Sequence, residues 1–261
     1  MVKKKRILLK VGSNTLTKET DNISRGKIED VASQIAKLQD TCEFIIVSSG
    51  AIAVAKQFVK LESKQEDVFV KQALASIGQP HLIRIYQEIF REYGLLSSQC
   101  LLSYSDFEKE ESRANIMNTI NVLVNNNYIP IINENDTVAT DEIKFGDNDK
   151  LAALTASLLK VDLFIIATNT NGIYTKASIE NGTPETIELV EDFDSLKAQV
   201  VSSKSSHGSG GMKSKIEAAS VTKKAHIETW IVNGLEDDFI VNAMDNKVPF
   251  TKIPCQVSKI L

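Results

Sequence analysis

The sequence Ile-Pro-Ile-Ile-Asn-Glu-Asn-Asp occupies residues 129–136, and Gly-Asp-Asn-Asp follows at residues 146–149. The first run changes abruptly from apolar to polar residues, as expected where a buried strand ends at a loop. The second run is a polar turn that opens a helical pattern. Small charged ligands bind at the carboxyl ends of the strands in parallel sheets. The two runs therefore predict an α/β fold with a ligand site at that edge.

Apolar runs of the same kind recur along the chain, and helical patterns separate them. The runs cover residues 7–11, 44–47, 163–166 and 229–232, and such continuous runs are typical of strands buried on both faces. Helical spacing of apolar residues is found at residues 28–38, 116–123, 151–158 and 213–225, and Ser105 with Glu108 resembles a capping box. The alternation predicts a mainly parallel sheet with helices on both faces. Residues 177–210 have the weakest pattern and are expected to form loops that cover a site.

Composition disfavours several classes of protein. The chain has 261 residues, a net charge of -4 and a pI of about 5.6, which argues against a nucleic-acid partner. Its three cysteines and three histidines are scattered, so we expect neither a disulfide framework nor a metal site. No secretory segment follows Met1, and no apolar run approaches the roughly 20 residues of a membrane helix. We therefore expect a cytoplasmic protein without a membrane partner.

Two polar turns follow the first two apolar runs, and each has a structural explanation as well as a functional one. Lys10 lies inside an apolar run, where an unpaired ammonium group is costly to bury, but an outward-facing lysine on an edge strand would also explain it. Gly12 and small hydroxyl residues follow Lys10 and suit a turn that meets an anion. The run from Ser48 to Gly50 suits close approach of a ligand to the backbone, or a tight turn capped by serine.

Two further turns lie in the second half of the chain. The sequence Ser-Gly-Gly-Met-Lys-Ser-Lys at residues 209–215 lacks the P-loop spacing, but its amides and Lys215 suit phosphate groups; a mobile surface loop is the alternative. Thr168 and Asn169 follow another apolar run and suit a nucleotide contact or an Asn-Gly turn. Lysines, acids and glycine-rich turns along one sheet edge predict phosphoryl transfer, in which positioning and charge neutralisation do most of the work.

Taken in order, these residues resemble the amino-acid kinase family over about residues 7–225. The matching runs are residues 9–13, 49–53, 72–79, 130–136, 146–149 and 210–212, together with Lys215. The Asn-Glu-Asn-Asp and Gly-Asp-Asn-Asp runs resemble most specifically the branch that phosphorylates L-glutamate. The resemblance implies a three-layer αβα sandwich with a mainly parallel central sheet. It also implies a single domain of residues 1–261, in which about 1–160 hold the acid substrate and about 161–261 hold the nucleotide.

The resemblance further implies a reaction and the residues that serve it. The reaction is ATP-dependent phosphorylation of the L-glutamate 5-carboxylate to L-glutamyl 5-phosphate, the first step of proline biosynthesis. Lys10 and Lys215 would stabilise the transferring phosphoryl group, and Asp149 would orient both lysines. The substrate-binding residues would be Ser49, Gly50, Asp136 and Asn148. The ATP-binding residues would be Lys10, Thr168, Asn169, Ser209, Gly210, Gly211, Met212, Lys213, Ser214 and Lys215.

Cofactors and partners are also implied by the resemblance. Mg²⁺ would arrive with ATP, bound mainly by phosphates and water, with no metal site formed by the protein. The family implies a homodimer or homotetramer, feedback inhibition by proline, and transfer of the labile product to glutamyl-phosphate reductase.

The sequence departs from the family pattern in two places. Asn169 stands where the family usually has aspartate, and residues 246–250 replace a usual Gly-Thr. Only residues 226–261 follow the last helical pattern, so we expect the short form without a C-terminal PUA domain. Two alternatives stay open: a sister kinase acting on another small acid, and a non-catalytic amino-acid sensor with the same fold.

Overall fold

The computed structural model describes residues 3–18, 22–61, 67–139, 148–202 and 209–255. Its central layer is a seven-stranded sheet with the strand order β3-β4-β2-β1-β5-β6-β7. The pairs along this order are parallel up to β6, and β7 is antiparallel to β6. The strands are β1 (Lys5–Val11), β2 (Cys42–Ser48), β3 (Leu96–Leu102), β4 (Tyr128–Glu134), β5 (Leu163–Thr168), β6 (Glu228–Asn233) and β7 (Thr251–Ile253).

Helices cover both faces of this sheet. The helices are α1 (Ser13–Thr17), α2 (Arg25–Leu38), α3 (Ala51–Lys56), α4 (Val68–Glu92), α5 (Glu110–Asn125), α6 (Asp149–Leu159), α7 (Lys176–Glu180), α8 (Phe193–Ser202), α9 (Ser209–Lys224) and α10 (Phe239–Met244). Helices α2, α4 and α10 pack on one face, and α5, α6 and α9 pack on the other. The expected αβα sandwich with a mainly parallel sheet is confirmed.

Residues of β1 alternate between the two cores. Ile7 and Leu9 belong to the core beneath α2 and α4, whereas Leu8 belongs to the core beneath α6 and α9. Because successive side chains of a strand point to opposite faces, Lys10 faces the same layer as Leu8. Lys10 is only 2% exposed, and β1 is the fourth of seven strands. The alternative of an outward-facing lysine on an edge strand is therefore wrong.

All five predicted strands are present, but β3 and β7 were not predicted. β3 is an edge strand whose residues are mostly exposed or half-buried, so its sequence, Leu-Ser-Ser-Gln-Cys-Leu-Leu, lacks a continuous apolar run. β7 has only three residues, which is too short for a periodic signal. Both strands owe their position to neighbours in the sheet, which local sequence does not encode.

Two local predictions need correction. The carboxylate of Asp106 accepts a hydrogen bond from the backbone N–H of Ser103 at 2.7 Å. It thereby caps the 3₁₀ turn Tyr104–Phe107, whereas α5 begins only at Glu110. The predicted capping box of Ser105 and Glu108 is therefore wrong. The loops expected at residues 177–210 include most of α7 and all of α8, two short helices.

The strand order creates a crevice at the carboxyl end of β1. From β1 the chain runs to β2, β3 and β4 on one side, and afterwards to β5 and β6 on the other. Parallel sheets bind ligands at such a switch point, where the loops leave in opposite directions. Among the predicted site residues, those on or just after these strands are Lys10, Ser49, Gly50, Asp136, Thr168 and Asn169. Asn148, Asp149 and residues 209–215 lie instead at the starts of α6 and α9.

Gly78 allows α4 to touch α3 at the crevice. A Cβ atom at Gly78 would lie 1.8 Å from the carbonyl oxygen of Ala51. We expect Gly78→Ala to lower the free energy of unfolding by about 3 kcal/mol, because the backbone of α3 or of α4 must move to make room for the added methyl group. Urea denaturation would measure it. Gly26→Ala is the matched control, since its nearest neighbour would be Ser24 Oγ at 3.9 Å; equal losses in both variants would contradict the close-contact explanation.

Candidate active site

Two lysines and one aspartate meet at the carboxyl end of β1. Lys10 Nζ lies 2.5 Å from Asp149 Oδ1, and Lys215 Nζ lies 3.0 Å from Asp149 Oδ2. The three side chains are 3%, 0% and 10% exposed in the order Lys10, Asp149 and Lys215. Charges removed from water interact more strongly than surface charges. Two positive charges and one negative charge leave one positive charge uncompensated, so this triad favours a bound anion.

Each member of the triad is placed by a different element. Lys10 lies on β1, Asp149 is the first residue of α6, and Lys215 lies on α9, which packs against α6. A carboxylate in the first turn of a helix is stabilised by the helix dipole. Ser214 Oγ donates a further hydrogen bond to Asp149 Oδ2 at 2.9 Å. A Cβ at Gly12 would lie 3.2 Å from Lys10 Nζ, so the glycine leaves room for the ammonium group.

The two lysines keep Asp149 ionised. Burial alone would raise the pKa of this carboxyl, but the charge of Lys10, then that of Lys215, and the hydrogen bonds from both outweigh it. The pKa of Asp149 is therefore held well below its usual range. At neutral pH its oxygens accept hydrogen bonds and keep both ammonium groups in place.

A second cluster consists of side-chain amides and hydroxyls between β2 and β4. Asn148 Nδ2 lies 2.7 Å from Asn133 Oδ1 and 3.1 Å from Ser49 Oγ. Asn133 Nδ2 in turn donates to Gln79 Oε1 at 2.8 Å. Gly50 begins α3 with a φ of 109°, a conformation that favours glycine. The structure thus brings the predicted residues Ser49, Gly50 and Asn148 together.

Asp136 adds a buried carboxyl to this cluster's side of the crevice. It is 7% exposed, and its Oδ1 has no hydrogen-bond partner among the residues that the structure describes. Burial, and secondly the charge of Glu134, raise the pKa of Asp136 to about 7. Gln72 Nε2 donates to the backbone oxygen of Asp136 at 2.9 Å and holds this turn. A buried carboxyl with a raised pKa and an unpartnered oxygen suits a cationic partner, which stabilises its ionised form.

The predicted nucleotide residues lie at the ends of β5 and α9. Thr168 ends β5 and is 7% exposed, whereas Asn169 is exposed. Helix α9 begins at Ser209 rather than near Lys213, so the run from Ser209 to Met212 forms its first turn. Backbone N–H groups of a first helical turn have no partner within the helix, and they suit phosphate groups.

The remaining predicted residues divide between surface and undescribed positions. Lys213 is exposed, with its Nζ 3.9 Å from Glu217 Oε1, whereas Lys215 is buried. The Gly146 and Asp147 positions of the Gly-Asp-Asn-Asp run lie outside the described residues.

Several residues of the site were missed by sequence reasoning. Asn133 and Gln79 join the amide cluster, and Tyr86 OH lies 3.0 Å from Ser48 Oγ. Asn133 and Gln79 stand in runs that carry the family resemblance, which was the available signal. Their role depends on the contact between β4 and α4, and neither hydrophobic spacing nor local propensity predicts which elements will be in contact.

Two absences concern the described part of the chain. It contains no group of three His, Cys, Asp or Glu residues that could hold a metal ion. Both oxygens of Asp149 are already engaged by lysines, so Asp149 does not suit Mg²⁺. In the same residues, we find no helix with the length and apolar character needed to cross a membrane.

Comparisons with known proteins bear on this site. Residues 5–233 match the model of the Amino acid kinase family. A protein named Glutamate 5-kinase from Thermoanaerobacter sp. (strain X514) is 40% identical over 253 residues, which cover 95% of this chain and 68% of that protein. Glutamate 5-kinase from Alkaliphilus metalliredigens (strain QYMF) is 37% identical over 245 residues, 93% of each chain.

Solved structures share the architecture. The carbamate kinase from Giardia lamblia bound to AMP-PNP matches with a TM-score of 0.69 at 15% identity. The match covers 97% of this chain and 99% of the other. At that identity the likeness concerns the fold alone.

Proposed function

Because the chain belongs to the amino acid kinase family, we propose that it transfers a phosphoryl group from ATP to the 5-carboxylate of L-glutamate. The products are ADP and L-glutamyl 5-phosphate, and the reaction is the first step of proline biosynthesis. The observation that carries this proposal is the identity of 40% over 95% of the chain with a protein named Glutamate 5-kinase. The triad of Lys10, Asp149 and Lys215 supports it, since it combines an excess positive charge with a crevice at the sheet edge.

The triad supplies the electrostatic part of the reaction. An oxygen of the glutamate 5-carboxylate attacks the γ-phosphorus of ATP, while the bond from that phosphorus to the bridging oxygen of ADP breaks. The carboxylate is already ionised, so no general base is needed. Lys10 and Lys215 compensate the charge on the transferring group, and Asp149 holds their ammonium groups in position. Fixed charges of this kind are effective because they need no reorganisation during the reaction.

The amide cluster and Asp136 form the glutamate pocket in this proposal. The Asp136 carboxylate binds the α-ammonium group, and Asn148 and Ser49 contact the same end of the substrate. Gly50 lets the backbone approach closely. These residues belong to the first part of a single domain, about residues 1–160, and the nucleotide part follows at about 161–261.

ATP binds to the second part of that domain. The first turn of α9, Ser209, Gly210, Gly211 and Met212, presents N–H groups to the phosphates, while Thr168 and Asn169 line the crevice. Lys213 and Ser214 flank the phosphates, with Ser214 also bound to Asp149. Mg²⁺ enters with ATP, held mainly by the phosphates and water.

Further parts of the proposal rest on the family resemblance. Proline competes with glutamate as a feedback inhibitor, and the chain assembles as a homodimer or homotetramer. Glutamyl-phosphate reductase receives the labile product.

Trapping of the acyl phosphate tests the reaction. The protein is incubated with Mg-ATP, hydroxylamine and one of four acceptors: L-glutamate, L-aspartate, N-acetylglutamate or uridylate. We expect hydroxamate with L-glutamate alone, together with equimolar ADP. A signal with another acid instead would identify a sister kinase. ATP binding without turnover of any acceptor would favour the amino-acid sensor.

Asp136 should make glutamate binding depend on pH. Only its ionised form attracts the α-ammonium group, and its pKa is raised to about 7. The KM for L-glutamate should therefore fall by about tenfold between pH 6 and pH 8. Asp136→Asn should give a higher KM that no longer changes over this range. A pH dependence retained in that variant would contradict the assignment.

The same raised pKa has a consequence for stability without substrate. A carboxyl whose pKa is higher in the folded than in the unfolded protein favours the folded state when it is protonated. This contribution to stability is complete below the pKa of the unfolded protein, roughly 4 for aspartate. That contribution is lost as the pH rises through about 7. Without glutamate, Asp136→Asn should therefore unfold at higher temperature than the natural protein at pH 8, and the difference should shrink at lower pH.

A further inference from the structure

One face of α4 carries three polar residues at intervals of seven. Seven residues are about two helical turns, so Gln72, Gln79 and Tyr86 lie on the same side. Gln72 binds the backbone oxygen of Asp136 at 2.9 Å, Gln79 binds Asn133 at 2.8 Å, and Tyr86 OH lies 3.0 Å from Ser48 Oγ. The three partners lie just after β4, on β4 and at the end of β2, in that order. Helix α4 therefore contacts residues of the proposed pocket, although none of the substrate-binding residues assigned above lies on it.

Gln79 determines which way the Asn133 amide faces. Its Oε1 accepts a hydrogen bond from Asn133 Nδ2, so the donor end of Asn133 is turned toward α4. The acceptor end, Oδ1, then faces the backbone N–H of Glu134 at 2.9 Å and Asn148 Nδ2 at 2.7 Å. Gln79 is 8% exposed and Asn133 is 1% exposed, so water competes weakly for these groups.

This arrangement sets the polarity of Asn148 in turn. Its Nδ2 group faces Asn133 Oδ1 and Ser49 Oγ. Its Oδ1 is buried and has no hydrogen-bond partner within the described ranges. An asparagine at a helix N-cap usually accepts a bond from its own helix, but Asn148 caps α6 without doing so. A buried acceptor without a partner is costly, so it favours a ligand that donates.

We propose that Gln79 is a positioning residue that makes the pocket select acids bearing an ammonium group. Acting through Asn133, it orients the Asn148 amide so that the buried acceptor oxygen is left for the substrate's ammonium group, to which Asp136 supplies the carboxylate. The inference rests on the proposed function, because the ammonium group is that of the glutamate substrate. It goes further by placing the origin of amine selectivity on α4, at a residue that acts on the substrate only through Asn133 and Asn148.

Comparison of L-glutamate with glutarate, the same diacid without the amine, tests the proposal. We expect Gln79→Met to raise the KM for L-glutamate at least about tenfold, because the Asn148 acceptor is no longer fixed. The Ki of glutarate as a competitive inhibitor should change less than about threefold, and so should the KM for ATP. Gln79→Glu keeps an acceptor facing Asn133 and should retain more of the selectivity than Gln79→Met.

Gln34→Met is the matched control for loss of a buried glutamine. Gln34 is 0% exposed, and its Oε1 accepts from the backbone N–H of Ile240 at 2.6 Å, on the α2 side of the fold. The Gln34→Met substitution should lower thermal stability while leaving the ratio of glutarate Ki to glutamate KM unchanged. If Gln79→Met weakens both ligands equally, or leaves both unchanged, the positioning role is refuted. Absence of hydroxamate formation in the unmodified protein would instead refute the proposed function.

Discussion

Lys10→Met should lower the turnover number by about 10²- to 10³-fold, the scale observed when one fixed electrostatic stabiliser is removed. In the proposed mechanism, Lys10 supplies one of the two positive charges that face the transferring phosphoryl group. Folding should survive, because Asp149 keeps Lys215 as its partner at 3.0 Å and the remaining pair is neutral. ADP release and hydroxamate formation would measure turnover, and circular dichroism would measure folding.

Lys27→Met is the control for loss of a buried lysine. Lys27 is 0% exposed, and its Nζ lies 2.9 Å from Asp30 Oδ2. It lies on α2, which packs on the opposite face of the sheet from the α6 and α9 layer that Lys10 faces. Its replacement should reduce stability but leave the turnover number per folded molecule near that of the unmodified protein. A folded Lys10→Met protein with ordinary turnover would contradict the role given to Lys10.

Asp149→Leu should be the most destabilising change in the site, by about 3–5 kcal/mol, because it leaves buried charges uncompensated. Lys10 and Lys215 both bind this one carboxylate, and both are almost fully buried. The pKa of Asp149 is lowered, so its contribution to stability is present above roughly pH 4, the unfolded value, and is lost as the pH falls further. Denaturant unfolding at several pH values should therefore show a constant loss from pH 5 to 8.

A triple variant separates stability from catalysis. Lys10→Met, Asp149→Leu and Lys215→Met together replace the buried ions with apolar side chains of similar length. Such replacements are often neutral or stabilising, so the triple variant should regain most of the stability that Asp149→Leu loses. It should remain inactive. Equal stability of the single and triple variants would show that the charges do not account for the loss.

Periodicity and composition predicted the buried strands well because burial on both faces leaves a continuous apolar run. They also located Lys10, since a lysine inside such a run needs an explanation. The partners of Lys10 came from the resemblance, not from spacing. Asp149 and Lys215 are far from Lys10 along the chain. Only the packing of α6 and α9 places Asp149 between them, with its carboxylate 2.5 Å from Lys10 Nζ and 3.0 Å from Lys215 Nζ.

The parts that were missed depend on contacts between elements. β3 has the half-exposed pattern of an edge strand, and its position follows from pairing with β4. Gln79 lies within a strongly helical stretch, where a glutamine is an ordinary residue and its side chain gives no sign of a contact with another element. Its role arises because α4 crosses the end of β4 next to Asn133. The start of α9 at Ser209 was missed because glycine weakens local helix propensity.

The placement of Lys10 on the central strand also has a consequence for the order of folding. During synthesis β1 emerges first, whereas its partner Asp149 lies 139 residues later (149 − 10) and Lys215 a further 66 residues on. Long-range contacts of this kind form late, because closing long loops costs entropy first. Until α6 docks, the Lys10 ammonium opposes burial of the strand that carries it. We therefore expect β1 to remain incompletely buried until α6 has docked, so that assembly of the triad is a late step of folding.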